Sequence, residues 1–285
     1  MDPLVVGAGK GPQILSLQSF RTAQAVAPCA KRVYGAGMGP IAASVILATV
    51  LVTSFISGIF GMAGGIIFMG VLNALVPVAT AMIIHGAVQM VSNGYRAFLW
   101  RAHIDWRIFR RYALGSIAAV ALLFALSWRP DKHTVYVLLG LVAMLVWLPK
   151  ALLDLDIQKR WQAEIAGFVV QSLNTIAGVS GPLMDQFFVR TPMTRHAIVA
   201  TKAVTQVLAH SVKIAFWSVP VIHAAGIAAL PPWWLILAAA PLSMLGTTLG
   251  GKVLDRMSDV NFRRGMKYLV TAVGAVMLLK AAGWL

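Results

Sequence analysis

Acidic side chains are scarce in this chain: nine Asp and Glu stand against 24 Lys and Arg in 285 residues. Cysteine is scarcer still. Cys29 is alone, which excludes an intrachain disulfide, a multi-cysteine metal site and dithiol redox chemistry. No metal-ligand spacing and no phosphate-binding loop occurs, so neither a metal nor another cofactor is expected, and nothing suggests ATP drive. Charged residues make up 12% of the chain, about half the ~25% of a soluble protein. What fills the space is apolar: 59% of residues are hydrophobic, in stretches long enough to cross ~30 Å of hydrocarbon. The class is an all-α integral membrane protein. The net charge of +15 would suggest nucleic acid in a soluble chain. Here the basic residues cluster in loops between apolar spans, where they orient the chain in a lipid bilayer, and no nucleic-acid partner is expected.

Residues 1–40 read as a polar, disordered leader holding Lys10, Arg21, Lys31 and Arg32, without the apolar run of a signal peptide. Met38, just ahead of the first span, is an alternative start. Spans follow at roughly 41–60, 80–100, 112–127, 134–149, 163–177, 196–217, 233–250 and 266–284, all helical because lipid leaves no partner for open backbone. Two shorter apolar segments, about 62–76 and 179–190, follow glycine clusters.

The chain also contains itself twice. Gly61, Gly64, Gln89 and Trp100 recur as Gly178, Gly181, Gln206 and Trp217, at a fixed offset of 117 residues. The expected units are 41–162 and 163–285, each with four full helices and a broken or short segment after its glycine cluster. Their loops differ in charge. The loop at 101–111 carries Arg101, Arg107, Arg110 and Arg111, and its counterpart at 218–232 carries no Lys or Arg. The loop at 251–265 holds Lys252, Arg256, Arg263 and Arg264, against Arg129 and Lys132 at 128–133. Basic loops mark the cytoplasmic side, so the two halves are expected to be inverted repeats of about five membrane elements each. The alternative is eight helices in two parallel repeats with re-entrant loops.

Gly61-Met62-Ala63-Gly64-Gly65 and Gly178-Val179-Ser180-Gly181-Pro182 weaken a helix, and in the second copy Pro182 also removes a backbone donor. A helix start at such a break carries partial positive charge and suits an anion. Close helix packing is the other use of such glycines. After each break runs a polar stripe: His85, Gln89, Asn93 and Arg96, then Lys202, Gln206, His210 and Lys213, at the same four offsets. Each stripe covers about 80° of its helix and should face a protein interior or a water-filled path. Lys202 is expected at the substrate, with a permanent pair to Asp185 as the alternative. Gln89 and Gln206 also suit interhelical hydrogen bonds. Arg96 and Lys213 are read as snorkelling from helix ends.

These motifs, with Ile104-Asp105-Trp106-Arg107 and Val199-Ala200-Thr201-Lys202, resemble the TauE/SafE sulfite exporters, also called transporters for organosulfur compounds. The likeness covers nearly everything from Met38 onward. Where members often carry a third glycine and an early proline, this chain has Ala63 and Ile66-Ile67-Phe68. The resemblance implies a multi-pass protein of a bacterial-type inner membrane that exports sulfite or a small organosulfonate anion, by uniport or with coupled protons. A homodimer stays open. Two other classes were weighed. Gly178-Val179-Ser180-Gly181 with His210 matches a rhomboid-type serine protease, but the repeat partner of Ser180 is Ala63 and the spans are too many. A cation carrier would want acidic residues along its path. The expected substrate-binding residues are therefore Gly61, Gly64, Gly65, Gly178, Ser180 and Gly181 at the breaks, with His85, Gln89, Asn93, Lys202, Gln206 and His210 around the anion. Nothing catalytic is expected. His85 and His210 titrate near neutrality when unperturbed and are candidates for a coupling proton or for plain hydrogen bonds.

Overall fold

A computed structural model describes residues 39–60, 63–147, 155–188, 191–254, 256 and 259–284. The leader, the Met38 start and Gly61 lie outside the described residues. Among those described, all regular structure is helical: α1 (Pro40–Phe60), α2 (Ala63–Leu75), α3 (Val78–Leu99), α4 (Trp106–Leu126), α5 (Lys132–Met144), α6 (Gln162–Ala177), α7 (Gly181–Phe188), α8 (Arg195–Ala225), α9 (Trp233–Leu254) and α10 (Asp259–Ala281). Four of these, within α1, α4, α8 and α9, are long and apolar enough to cross a membrane unaided. α3 is as long, but His85, Gln89, Asn93 and Arg96 lower its hydropathy. Large apolar side chains stay exposed along the outside, including Leu114, Ile117, Leu237 and Leu245, as suits a bundle whose solvent is hydrocarbon.

Two boundaries differ from the sequence reading. α4 begins at Trp106 rather than near 112, because Asp105 caps it by accepting from the Arg107 and Ile108 amides. Arg107, Arg110 and Arg111 therefore sit on its first turns and not in a loop. α8 continues to Ala225 although Pro220 lies inside it, so the expected loop at 218–232 shrinks to 226–232. A membrane helix absorbs a proline that would end a soluble one. At the other side of the bundle Asp131 caps α5, and hydrogen bonds from the Thr134 side chain and then the Thr134 amide hold its carboxyl below the ordinary carboxylate range.

The broadest helix contacts join α1 to α9, α3 to α8, α4 to α6 and α5 to α10, so each pairs one half of the chain with the other. α3 and α8 run in opposite directions: Gly86 faces Ile214 while Gly94 faces Val207. α5 and α10 do the same, with Gly140 against Leu278 and Trp147 bonded to Thr271. α4 and α6 run side by side in one direction, so close that a Cβ on Gly115 or Gly167 would strike the facing backbone. The second glycine cluster breaks the path. α6 stops at Ala177, Gly178 turns the chain at φ +86°, and α7 restarts at Gly181. A side chain at Gly178 would meet strain at that φ and the sulfurs of Met69 and Met82.

Candidate functional site

The break before α7 and the stripes of α3 and α8 enclose a small polar cavity of about 40 Å³. It admits about three water-sized spheres, on the scale of an anion with four heavy atoms. Its walls come from both halves of the chain in matched positions: Ser57 and Asn174, Gln89 and Gln206, Asn93 and His210 are each separated by the 117-residue offset. Gly65, His85, Arg96, Val179, Ser180 and Gly181 complete it.

Polar atoms in this cavity lack protein partners. Ser180 Oγ, Gln206 Nε2, His210 Nδ1 and both amide atoms of Asn174 are buried, and no described residue hydrogen-bonds them. Each such atom costs about 1–3 kcal/mol unless water or a ligand meets it. Ser180 thus has no base in reach, which removes the serine-protease geometry.

One basic side chain stands in the cavity wall and a second lies behind it. Arg96 lines it directly. Lys213, fully buried, donates from Nζ to His85 Nδ1 at 2.7 Å and to the Gly178 carbonyl at 2.8 Å. His85 Nε2 lies 3.0 Å from the Gly65 carbonyl, which can only accept. That fixes the proton on Nε2 and leaves Nδ1 to accept from Lys213. An ammonium offers three donors, and two are spent here. Among the described residues no carboxylate pairs with Arg96 or Lys213. His210 sits 5.7 Å from His85, ring centre to ring centre.

A second cavity, of about 460 Å³, adjoins the first and shares Ser57, Asn93 and Arg96 with it. It runs toward the ends of α3, α8 and α9, with exposed Leu99 and Trp100 at its rim. Lys202 is here rather than in the small cavity, ion-paired to Asp185. On the other side of the small cavity Phe68 stacks on His85, Met69 and Met82 lie against Gly178, and these three are buried together with Phe216 and Trp217. Trp217 Nε1 donates to the Thr175 carbonyl at 2.8 Å, and Arg129 donates to the Phe216 carbonyl at 3.2 Å while lying over that ring.

Of the residues expected at the anion, Gly65, His85, Gln89, Asn93, Ser180, Gly181, Gln206 and His210 meet at the small cavity. Gly64 packs against the α1 backbone at Thr53, and Gly178 takes part through its carbonyl. Reading Arg96 and Lys213 as snorkelling was mistaken: one lines the cavity and the other has no exposed surface. Ser57 and Asn174 were missed, although the repeat offset applied to the helix before each glycine cluster pairs them.

A family model described as "Sulfite exporter TauE/SafE" matches residues 46–277. The chain belongs to the TauE/SafE family. It is therefore a membrane transporter of sulfur anions and not an enzyme, in agreement with a polar, carboxylate-free cavity inside an apolar helical bundle. No curated protein and no solved structure matches the chain.

Proposed function

We propose that this TauE/SafE protein exports sulfite, or a sulfur oxyanion of similar size, by alternating access between two inverted halves, 41–162 and 163–285. The observation that carries this reading is the small cavity, where unpartnered amide, hydroxyl and imidazole atoms meet the Arg96 guanidinium, with Lys213 hydrogen-bonded behind His85 and no carboxylate among the lining residues. An oxyanion supplies several acceptors at once and compensates the buried charge of Arg96 and Lys213.

The directions of the helices support inversion. α3 and α8 correspond under the 117-residue offset and pack antiparallel, and α5 and α10, the last described helix of each half, pack antiparallel as well. A two-fold axis across the helices produces that pairing; an axis along them pairs equivalent helices in parallel, as the re-entrant alternative requires. The larger cavity opens toward the end of the bundle that carries Arg101, Lys252 in the last turn of α9, and Arg256, and the positive-inside rule favours reading this as a state facing the cytoplasm of a multi-pass inner-membrane protein.

Sulfite efflux from proteoliposomes tests the proposal. Wild type should transport it, and Lys213→Met should lower flux at matched sulfite by about 30-fold or more, because a buried charged partner of the anion is removed. Unchanged flux in Lys213→Met would overturn this site. An imposed pH gradient that drives sulfite uphill would assign the His85–Lys213 contact to proton coupling, whereas purely downhill flux would make the protein a uniporter.

A further inference from the structure

A third cavity, of about 310 Å³, lies away from the transport path where α4 and α6 begin side by side. Arg107, Arg111, Gln158, Arg160, Trp161 and Glu164 line it. Its chemistry is cationic beyond what the local fold uses. Arg111 is spent: Nε and Nη2 hold both Glu164 oxygens at 2.8 Å, and Nη2 also reaches the Lys159 carbonyl at 3.1 Å. That bidentate pair neutralises the carboxylate in the cavity and ties α4 to α6. Arg107 and Arg160 remain, and among the described residues no acidic group pairs with either.

The backbone adds to the same field. α4 and α6 run in one direction, so their positive ends point to the same place. Asp105 caps α4, but no side chain caps α6. Trp161, at the turn into α6, holds φ +65°, a conformation costly for a bulky residue. The turn leaves its indole 58% exposed and within 5.5 Å of the Arg160 guanidinium. One turn further along α4, Leu114 and Ile117 are already exposed as lipid-facing side chains. The cavity therefore sits at the level where hydrocarbon gives way to headgroups, rimmed by an aromatic of the kind that anchors there.

We infer that this cavity binds the phosphate headgroup of an anionic phospholipid, with Arg107 and Arg160 as the phosphate ligands and Trp161 against the glycerol backbone. Basic pockets between membrane helices are suited to that chemistry, and two guanidiniums give planar, multidentate contact with phosphate oxygens. The inference is independent of the transport site, since none of these residues lines either of the other two cavities.

The test uses the full chain, purified in detergent and stripped of lipid, with thermal unfolding followed as phosphatidylglycerol is added. Wild type should be stabilised by phosphatidylglycerol and not by phosphatidylcholine. The double variant Arg107→Gln/Arg160→Gln should need about tenfold more phosphatidylglycerol for the same shift. Arg107→Lys/Arg160→Lys should recover part of that loss, which separates charge from misfolding. Sulfite flux in phosphatidylcholine vesicles should be the same in wild type and the Gln variant. Equal stabilisation of wild type and the Gln variant by phosphatidylglycerol would overturn the inference. So would stabilisation of wild type by inorganic phosphate at the same concentration, which would make the ligand a soluble anion.

Discussion

Residues that the repeat makes equivalent stand in opposite surroundings at the two ends of the path. Trp100 is 39% exposed and its counterpart Trp217 is 3%. Leu99 is 52% exposed against 0% for Phe216, and Val199 is 39% against 0% for Met82. Arg96 lines the larger cavity, and Lys213 at the matching position is sealed behind His85. The sequence of each half therefore does not decide whether it is open; the packing between halves does. On the proposed cycle, a second arrangement exchanges these surroundings between the halves and has to lie close in energy to this one. That near-degeneracy is what a carrier working by alternating access needs.

The sharpest way to break the comparison is to read both ends chemically. In a Cys29→Ser background, Val199→Cys and Met82→Cys place one thiol at equivalent positions of the two halves. A membrane-impermeant maleimide applied from the cytoplasmic side should label Val199→Cys about a hundredfold faster than Met82→Cys, since local opening of a packed core is rare. Reagent on the other side should reach Met82→Cys only while the transporter cycles with sulfite. Equal labelling of the two thiols from one side, with sulfite absent, would end the inverted alternating-access reading.

Much of this architecture was legible beforehand. Helix positions followed from hydropathy, and the polar stripe at Gln89, Asn93, Gln206 and His210 led to the cavity because helical spacing fixes which side chains share a face. The identity of the buried cation was not legible. Ending this span near Trp217 put Lys213 one turn from a terminus, where a lysine snorkels. The helix instead runs two more turns to Ala225, which leaves Lys213 too deep to reach headgroups. Lys202 was expected at the substrate with a pair to Asp185 as the alternative, and that pair forms across the break between α7 and α8. Ser57 and Asn174 were hidden for another reason. A lone polar residue in an apolar span carries no periodic signal, and only the repeat pairs them.

A smaller effect is expected at the break itself. Gly178 joins the two ends, since its carbonyl holds Lys213 while its Cα lies against Met69 and Met82. Gly178→Ala puts a Cβ into positive-φ backbone and onto both sulfurs, costing about 1–3 kcal/mol. Thermal unfolding should show this loss. Gly226→Ala also sits at positive φ but meets nothing, so it carries only the backbone part and should be milder. If the two variants unfolded alike, packing against the methionines would not be what seals the closed end.

The smallest effect separates the two lysines. Lys202 is partly exposed in the larger cavity and already has Asp185, so the anion meets a neutralised pair on its way and not a free charge. A pair in that setting contributes about 1 kcal/mol or less. Lys202→Met should therefore reduce sulfite flux only about two- to threefold, far less than Lys213→Met. Asp185→Asn should act in the other direction on the apparent affinity at low salt, because it releases the Lys202 charge to attract the anion, and about 0.5 M salt should erase the gain. A loss in Lys202→Met as deep as that in Lys213→Met would move the anion out of the small cavity to the Lys202 position, and the contrast between an open Arg96 end and a sealed Lys213 end would no longer describe the binding site.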